Sequence, residues 1–297
     1  MEEQNTSSLT YELQSKQKIS YVEDTFEEYL SKKDHIAASD LKNFMKSPMF
    51  YQYEKYHKDL EKKAEQRHFN IGSGLHEMIL QPKLFSTNYV VAPKFDRRTK
   101  AGKESYAEFQ INSEGKTILF EDEMDMIRQM ADNGLNHGTF MDLIKDSVRE
   151  ISCYTTDAKT GLKLRMRPDS LATNKSTITD IKSCLDSSAK KFKGDVYNYG
   201  YSLSAAYYCD FLNKENYVFA AMEKKPPFQI GLYVLNDEMI DYGRSQYRTG
   251  LDLLKWSYDN DYWCNHNEFE LLKECYELGD LDSFFDVKEK SQLVTIL

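Results

Sequence analysis

Two carboxylates and an ammonium stand close together in the stretch Leu164–Ser183, LRMRPDSLATNKSTITDIKS. Asp169 follows Pro168, and Asp180 and Lys182 flank Ile181. Alternation and β-branched residues make LKLRMRPDSLAT and STITDIKSC strands, with TNKS as the turn between them. Residues two apart on a strand share a face, so Asp180 and Lys182 project together. The predicted hairpin brings Asp169, inside its first strand, across from Asp180. Carboxylates in contact repel unless a proton or a cation lies between them. Paired hard oxygen ligands suit Mg²⁺ or Mn²⁺, which keep several waters and take one or two protein carboxylates. Such an ion acidifies a bound water and screens a phosphate, and a neighbouring lysine can orient that water. The chemistry these residues could do is phosphodiester hydrolysis. Alone, D-x-K is commonly a solvated strand face; the Pro-Asp on the preceding strand tips the reading toward a metal.

The rest of the chain must build a frame for that hairpin. Residues 1–20 are polar and read as loose, and 21–34 as a helix. ASDLKNFMKSPMFYQYEKYH reads as a helix capped near Ser39 or Asp40, with Leu41, Phe44 and Met45 as its apolar stripe and Ser47-Pro48 as its break. NIGSGLHEMILQPKLF is a glycine-bracketed start running into a helix, NYVVA a short strand, and FDRRTKAGKESYAEFQ a basic loop leading into a helix. Two amphipathic helices follow, EDEMDMIRQMADNGL and TFMDLIKD. From Val148 the pattern turns to three antiparallel strands, beginning with REISCYTTD. After them come a helix over about Asp195–Leu212, the strands YVFAAMEK and FQIGLYVL joined by KKPP, and a helix over about Met239–Tyr258. This order predicts an α+β fold, layered α/β/α, with a central mixed sheet flanked by helices.

Composition narrows the class. The 297 residues are 40% hydrophobic, with 21 Tyr and 16 Phe, which excludes a disordered chain. No apolar run approaches the ~20 residues of a membrane helix, and the N-terminus lacks the basic start and apolar core of a signal peptide, so the expected location is the cytoplasm. The five cysteines are widely spaced without CxxC, as expected of reduced packing thiols. A net charge of −9 counts against a nucleic-acid binder. Its distribution softens this: Arg97, Arg98, Lys100 and Lys103 cluster, as do Arg165 and Arg167, Lys190, Lys191 and Lys193, and Lys224 and Lys225, while acids gather at the two ends. GKT at 115–117 lacks the first glycine of a P-loop, since Gln110 stands there, and no ATPase is expected.

R-P-D followed by D-I-K resembles the signature of the PD-(D/E)xK nuclease superfamily. More of the chain resembles one branch, the RecE (exodeoxyribonuclease VIII)-like phage and prophage exonucleases: SDLKNFMKSPMFY its N-terminal helix, GSGLHEMIL its G-x-x-x-H helix, FDRRTKAGKE its basic loop, and GYSLSAAYY its post-catalytic helix. The motifs span about residues 36–260 in the branch's order. The resemblance implies that Asp169 and Asp180 hold the metal, that Lys182 is the catalytic lysine, and that His76 approaches the metal from the helical layer. It implies a further acid at Glu150. Tyr208 matches the tyrosine of a Q-x-x-x-Y helix expected to face DNA, with Ser204 in place of the glutamine and too short to repeat its contact.

On this reading the chain is an N-terminal extension (1–35), an exonuclease domain (36–262) and an acidic C-terminal tail (263–297). It degrades double-stranded DNA ends with Mg²⁺ or Mn²⁺, 5′→3′ by resemblance, for phage-type recombination. The basic loop (Arg97, Arg98, Lys100, Lys103) and Lys190 and Lys191 would grip phosphates. Lys190 and Lys191 stand near a helix start, whose amides could add to an anion site. Family likeness adds a homo-oligomeric ring and a single-strand annealing protein as partner, with no membrane. A RecB-like nuclease acting on single strands would carry an iron–sulfur cluster, and no cysteine precedes His76 to supply its first ligand, so no cluster is expected. A catalytically silent DNA-binding module on the same fold is the alternative of another class.

Overall fold

The central strand is TITDIKSC, buried along most of its length, and the fold is organised around it. The computed structural model describes residues 18–57 and 67–290. The loose stretch expected over 1–20 therefore lies outside the described residues up to position 17, as does the end of the acidic tail from 291. In chain order the elements are β1 (Ser20–Val22), α1 (Phe26–Ser31), α2 (Ala38–Lys46), α3 (Pro48–His57), α4 (Arg67–Leu80), α5 (Pro82–Asn88), β2 (Tyr89–Val91), α6 (Lys100–Asn112), β3 (Thr117–Leu119), α7 (Glu121–Leu135) and α8 (Gly138–Ile144). Then follow β4 (Ser147–Arg149), β5 (Ser152–Thr156), β6 (Lys163–Met166), β7 (Ser170–Ala172), β8 (Thr177–Cys184), α9 (Ala189–Asn198), α10 (Tyr201–Leu212), β9 (Asn216–Glu223), β10 (Ile230–Val234), α11 (Asp237–Asn260), α12 (His266–Glu277) and α13 (Phe284–Lys290).

The main sheet has the order β10-β9-β8-β7-β4. β8 and β9 run parallel and the other neighbours antiparallel, which is the expected mixed sheet. Strict alternation along β8 and β9 gives each helical layer its own partners. Ile181, Ala220 and Met222 pack with Leu75 and Ile79 of α4, Met130 of α7 and Phe140 of α8. Ile178, Phe219 and Ala221 pack with Phe44 of α2, Tyr207 of α10 and Leu254 of α11. Asp180 and Lys182 share the parity of Ile178 and so face this second layer.

The strands before β8 depart from the expected three-stranded meander. Each long segment is cut in two. Pro168 has no N–H to give a ladder, and Glu150 adopts a left-handed backbone with φ 53°. β4 and β7 therefore join the main sheet, while β5 and β6 peel away with β1 into a sheet of order β1-β5-β6. Asp169 lies in a break, not inside a strand. The single helix expected over Asp195–Leu212 is likewise two, α9 and α10, separated by Gly200 at φ 61°. The predicted helix at 21–34 shrinks to α1, started by a Thr25–Glu28 capping box.

The described parts of both flanking segments pack on the rest of the fold. β1 pairs with β5, and the Tyr29 carbonyl accepts a hydrogen bond from Arg165 at 2.8 Å. In the segment read as an acidic tail, Phe269, Leu272, Cys275 and Phe284 are buried in the same cluster as Phe44 and Leu254. Its acids Glu270, Glu274 and Glu277 lie on the exposed side of α12, so the charge count hid an amphipathic helix.

α11 crosses α10 at very close range. A methyl group added at Gly243 would stand 2.0 Å from the Ser202 carbonyl oxygen, which is backbone and cannot swing away. Gly243→Ala is therefore expected to destabilise the fold by about 1–3 kcal/mol or more, as overpacking does. Urea unfolding reads this directly; an unshifted midpoint would show that the two helices part freely.

Candidate active site

The break between β6 and β7 carries Asp169. Register pairs Ser170 with Thr179 and Leu171 with Ile178, so the next step outward sets Asp169 against Asp180, as the hairpin predicts. The ladder does not continue there. Instead the Asp169 Oδ2 accepts the Ile181 N–H at 2.7 Å, the side chain replacing the missing strand bond. The Asp169 carbonyl accepts the Glu150 N–H at 3.2 Å, which ties the two strand breaks together.

Arg167 locks this corner. Its Nε donates to Glu150 Oε2 at 3.0 Å, and its Nη1 donates to the Asp24 carbonyl at 3.0 Å and to Ser152 Oγ at 2.9 Å. Its backbone N–H donates to the Tyr208 hydroxyl at 3.2 Å. Tyr208 thus supports the loop that holds Asp169 and is packed edge-on against Tyr217 at 5.9 Å. The Tyr208 hydroxyl is spent on the backbone beneath the site. Ser204, one turn earlier on α10, is half-buried.

His76 comes from the opposite layer. It sits in the third turn of α4, whose glycines lie within the helix and not ahead of it. Gly74 lets α4 press against α7, since a methyl there would stand 2.8 Å from Ile127 Cδ1. His76 Nδ1 reaches to 3.3 Å from Asp169 Oδ2. One ligand atom from each of His76, Glu150 and Asp169 lies within 4.8 Å of the others, and among the described residues this is the group that could hold a metal ion. Glu150 owes its place to the left-handed turn between β4 and β5. Asp180 stands beside this group without joining it, and its Oδ2 is in contact with the Lys182 ammonium.

The electrostatics follow from burial and from these neighbours. Burial opposes charge on His76, but the Asp169 carboxylate outweighs it and raises the imidazole to about 9. Burial and then the Asp169 charge push Glu150 up to about 7. Burial also works against Asp169, yet the His76 charge and hydrogen bond hold it below the usual carboxylate range. Asp180 is raised, by burial first, with Lys182 pulling against it and Asp169 adding repulsion. Lys182 is raised despite burial, by Asp180 and Asp169. Glu150 and Asp180 stay raised even with Arg167 and Lys182 against them, because burial and the Asp169 charge disfavour their ionised forms, and a divalent cation would relieve that repulsion.

The expected phosphate contacts divide. Arg97 and Arg98 lie in the turn before α6, and Lys100 and Lys103 in its first turn; all four are exposed. Arg97 covers the Tyr106 ring at 4.4 Å, Arg98 pairs with Asp96 at 3.0 Å, and Lys100 stands 3.8 Å from Glu104. None of the four lines the cleft that opens at Lys182, whereas Lys191 does, with Lys224 and Lys225. Lys190 is exposed beside Lys191 in the first turn of α9. The GKT decoy is a turn at Gly115 running into β3, with no helix to receive a phosphate.

Lys42 escaped the sequence reading. Its stem passes over Gly200, where a methyl would stand 2.9 Å from Lys42 Cδ, and its ammonium donates to the Tyr199 carbonyl at 3.3 Å. Burial and then the Lys182 charge lower it to about 8. On α2 it falls just beside the Leu41–Phe44 stripe, where periodicity assigns solvent. The signal that could have found it is the left-handed Gly200, which clears its path.

A mixed sheet whose middle strand carries D-x-K, beside a Pro-Asp at the break of its neighbour, is the core of the PD-(D/E)xK nuclease superfamily. This chain belongs to one of its families: residues 37–274 match the PDDEXK-like domain of unknown function (DUF3799). Among curated proteins none matches significantly. Among solved structures, a candidate exonuclease from Eubacterium rectale is similar in fold, with a TM-score of 0.56 and 14% identity over 83% of this chain and 91% of that one. An alkaline exonuclease from Laribacter hongkongensis aligns with a TM-score of 0.30 and 13% identity over 79% of this chain and 95% of that one. Among the described residues no helix is long and apolar enough to cross a membrane.

Proposed function

We propose that this chain is a metal-dependent DNA exonuclease that hydrolyses phosphodiester bonds from duplex ends. The observation that carries this is the convergence of His76, Glu150 and Asp169 at one point, with the Asp180–Lys182 pair beside it. The donor set fits a hard divalent ion: carboxylate oxygens with one imidazole, and no thiolate. His76, Glu150 and Asp169, which converge, would hold it, with Asp180 beside them as a further acid, and Mg²⁺ or Mn²⁺ would supply an acidified water and charge screening at the phosphate. The protein's own work is placement. Lys182 donates to the attacking water and to the phosphoryl oxygens. Arg167 and Tyr208 fix the Asp169 loop, and the Ile181 N–H aims the Asp169 carboxylate. The RecE-like motifs supply the finer reading: 5′→3′ action, a ring of subunits around DNA, and a single-strand annealing partner in recombination.

Incubation with Mg²⁺ tests this on end-labelled linear duplex beside a covalently closed circle. The linear molecule should be degraded, with a 5′ label released before a 3′ label, and the circle spared. Cleavage of the circle would make the enzyme an endonuclease, and release of the 3′ label first would reverse the polarity.

Metal uptake should also expel protons. The imidazole at about 9 is protonated at neutral pH, and a ligand nitrogen must be neutral. Mn²⁺ affinity should therefore rise with pH up to about 9, and calorimetry at about pH 8, above the Glu150 value, in buffers of different ionisation enthalpy should count about one proton released. Zero release would remove His76 from the ligand set. The basic loop is tested separately. Arg98→Ala with Lys100→Ala should weaken DNA binding and lower the log–log salt slope by about 0.9 per lost phosphate contact. An unchanged slope would leave these residues as a solvated turn.

A further inference from the structure

We infer that the cleft beside Lys182 takes an unpaired DNA strand, and that Tyr199 is the platform on which one of its bases stacks. This rests on the nuclease reading and names the form of substrate at that site. The cleft encloses about 850 Å³ and is lined by Lys182, Lys191, Lys224, Lys225, Tyr199 and Tyr201. Among the described residues, no ion pair engages Lys191, Lys224 or Lys225, so their charge is available to a backbone. Acids line it too, and Asp186 among them is tied to the Ser188 N–H at 2.8 Å.

A series of rings leads outward from the reaction centre. The Lys182 ammonium lies 5.4 Å from the centre of the Tyr201 ring, and Tyr201 stacks obliquely on Tyr199 at 5.6 Å. Tyr199 is 59% exposed and lines the cleft, as does Leu185, which is 68% exposed. A tyrosine so open at the C-cap of α9 contributes little to the core, yet its backbone is held by Lys42 from another helix. A duplex hides base faces within its own stack. An exposed ring one ring away from the catalytic lysine can be covered by a base from an unpaired strand. Lysines along the backbone with an aromatic face for the base are the components of single-strand recognition.

Fluorescence anisotropy on the full chain in EDTA, where no cleavage occurs, tests the platform. The probes are a short single-stranded deoxyoligonucleotide, an abasic strand of the same length and charge, and a blunt duplex. The base-bearing strand should bind more tightly than the abasic strand. Tyr199→Ala should remove that advantage, weakening the base-bearing strand about 5- to 150-fold, the range for one stacked base, and leaving the abasic strand alone. Tyr199→Trp should keep it. Tyr197→Ala provides the control: Tyr197 is 70% exposed but stacks on Tyr242 away from the cleft lining. Equal binding of base-bearing and abasic strands, no effect of Tyr199→Ala, an equal effect of Tyr197→Ala, or binding of neither strand would each overturn the proposal. If Tyr199 dependence appears but Mg²⁺ gives no cleavage, the nuclease reading fails while the platform stands; cleavage without Tyr199 dependence gives the reverse.

Discussion

Asp169→Asn and Asp180→Asn are each expected to reduce DNA cleavage to background, a loss of more than about 10³-fold, while the protein stays folded. Each removes a charge that a divalent ion needs, in a site where electrostatic stabilisation is the main source of rate. Asparagine is the informative substitution at 169. Its side-chain oxygen still accepts the buried Ile181 N–H, now bonded at 2.7 Å, whereas alanine would leave that N–H unsatisfied at a cost of about 1–3 kcal/mol. Single-turnover cleavage beside urea unfolding separates the two effects. Full activity in either variant would end the metal-site account.

Lys182→Ala has a different expected profile. A protonated lysine donates no lone pair to a metal, so the ion should stay bound, and bind more tightly once the ammonium no longer contacts Asp180. Turnover should still fall by about 10²-fold or more, the scale for losing one preorganised electrostatic or proton-transfer group. Lys182→Arg should not restore it, because a planar guanidinium cannot stand where a compact ammonium stood between Asp180 and the Tyr201 ring. Loss of metal binding in Lys182→Ala as complete as in Asp180→Asn would erase the division of roles. Cleavage at the wild-type rate would make Lys182 a strand residue without a chemical task.

What the sequence disclosed and what it hid divide along physical lines. Alternation along TITDIKSC places Asp180 and Lys182 on one face and Ile181 on the other, because period two is a local property of a strand. The turn at TNKS sets the register that carries Asp169 toward Asp180. The split of the neighbouring strands was not legible. It depends on Glu150 entering a left-handed conformation and on β1, remote in sequence, arriving to pair with β5. The same split gives Asp169 its backbone anchor and brings Glu150 close to His76. Tyr208 was legible as a residue near the site, but helical spacing cannot say that its hydroxyl meets the Arg167 backbone. Composition counts charges and does not place them: α12 turns Glu270, Glu274 and Glu277 outward while Phe269, Leu272 and Cys275 are buried.

Calorimetric titration of Mn²⁺ into the purified, EDTA-stripped protein and into Asp169→Asn tests the central claim most directly. The account predicts saturable binding to the wild-type protein, its loss in Asp169→Asn, and its retention in Lys182→Ala. Absence of binding to the wild type, or binding to Asp169→Asn with wild-type affinity, would contradict it.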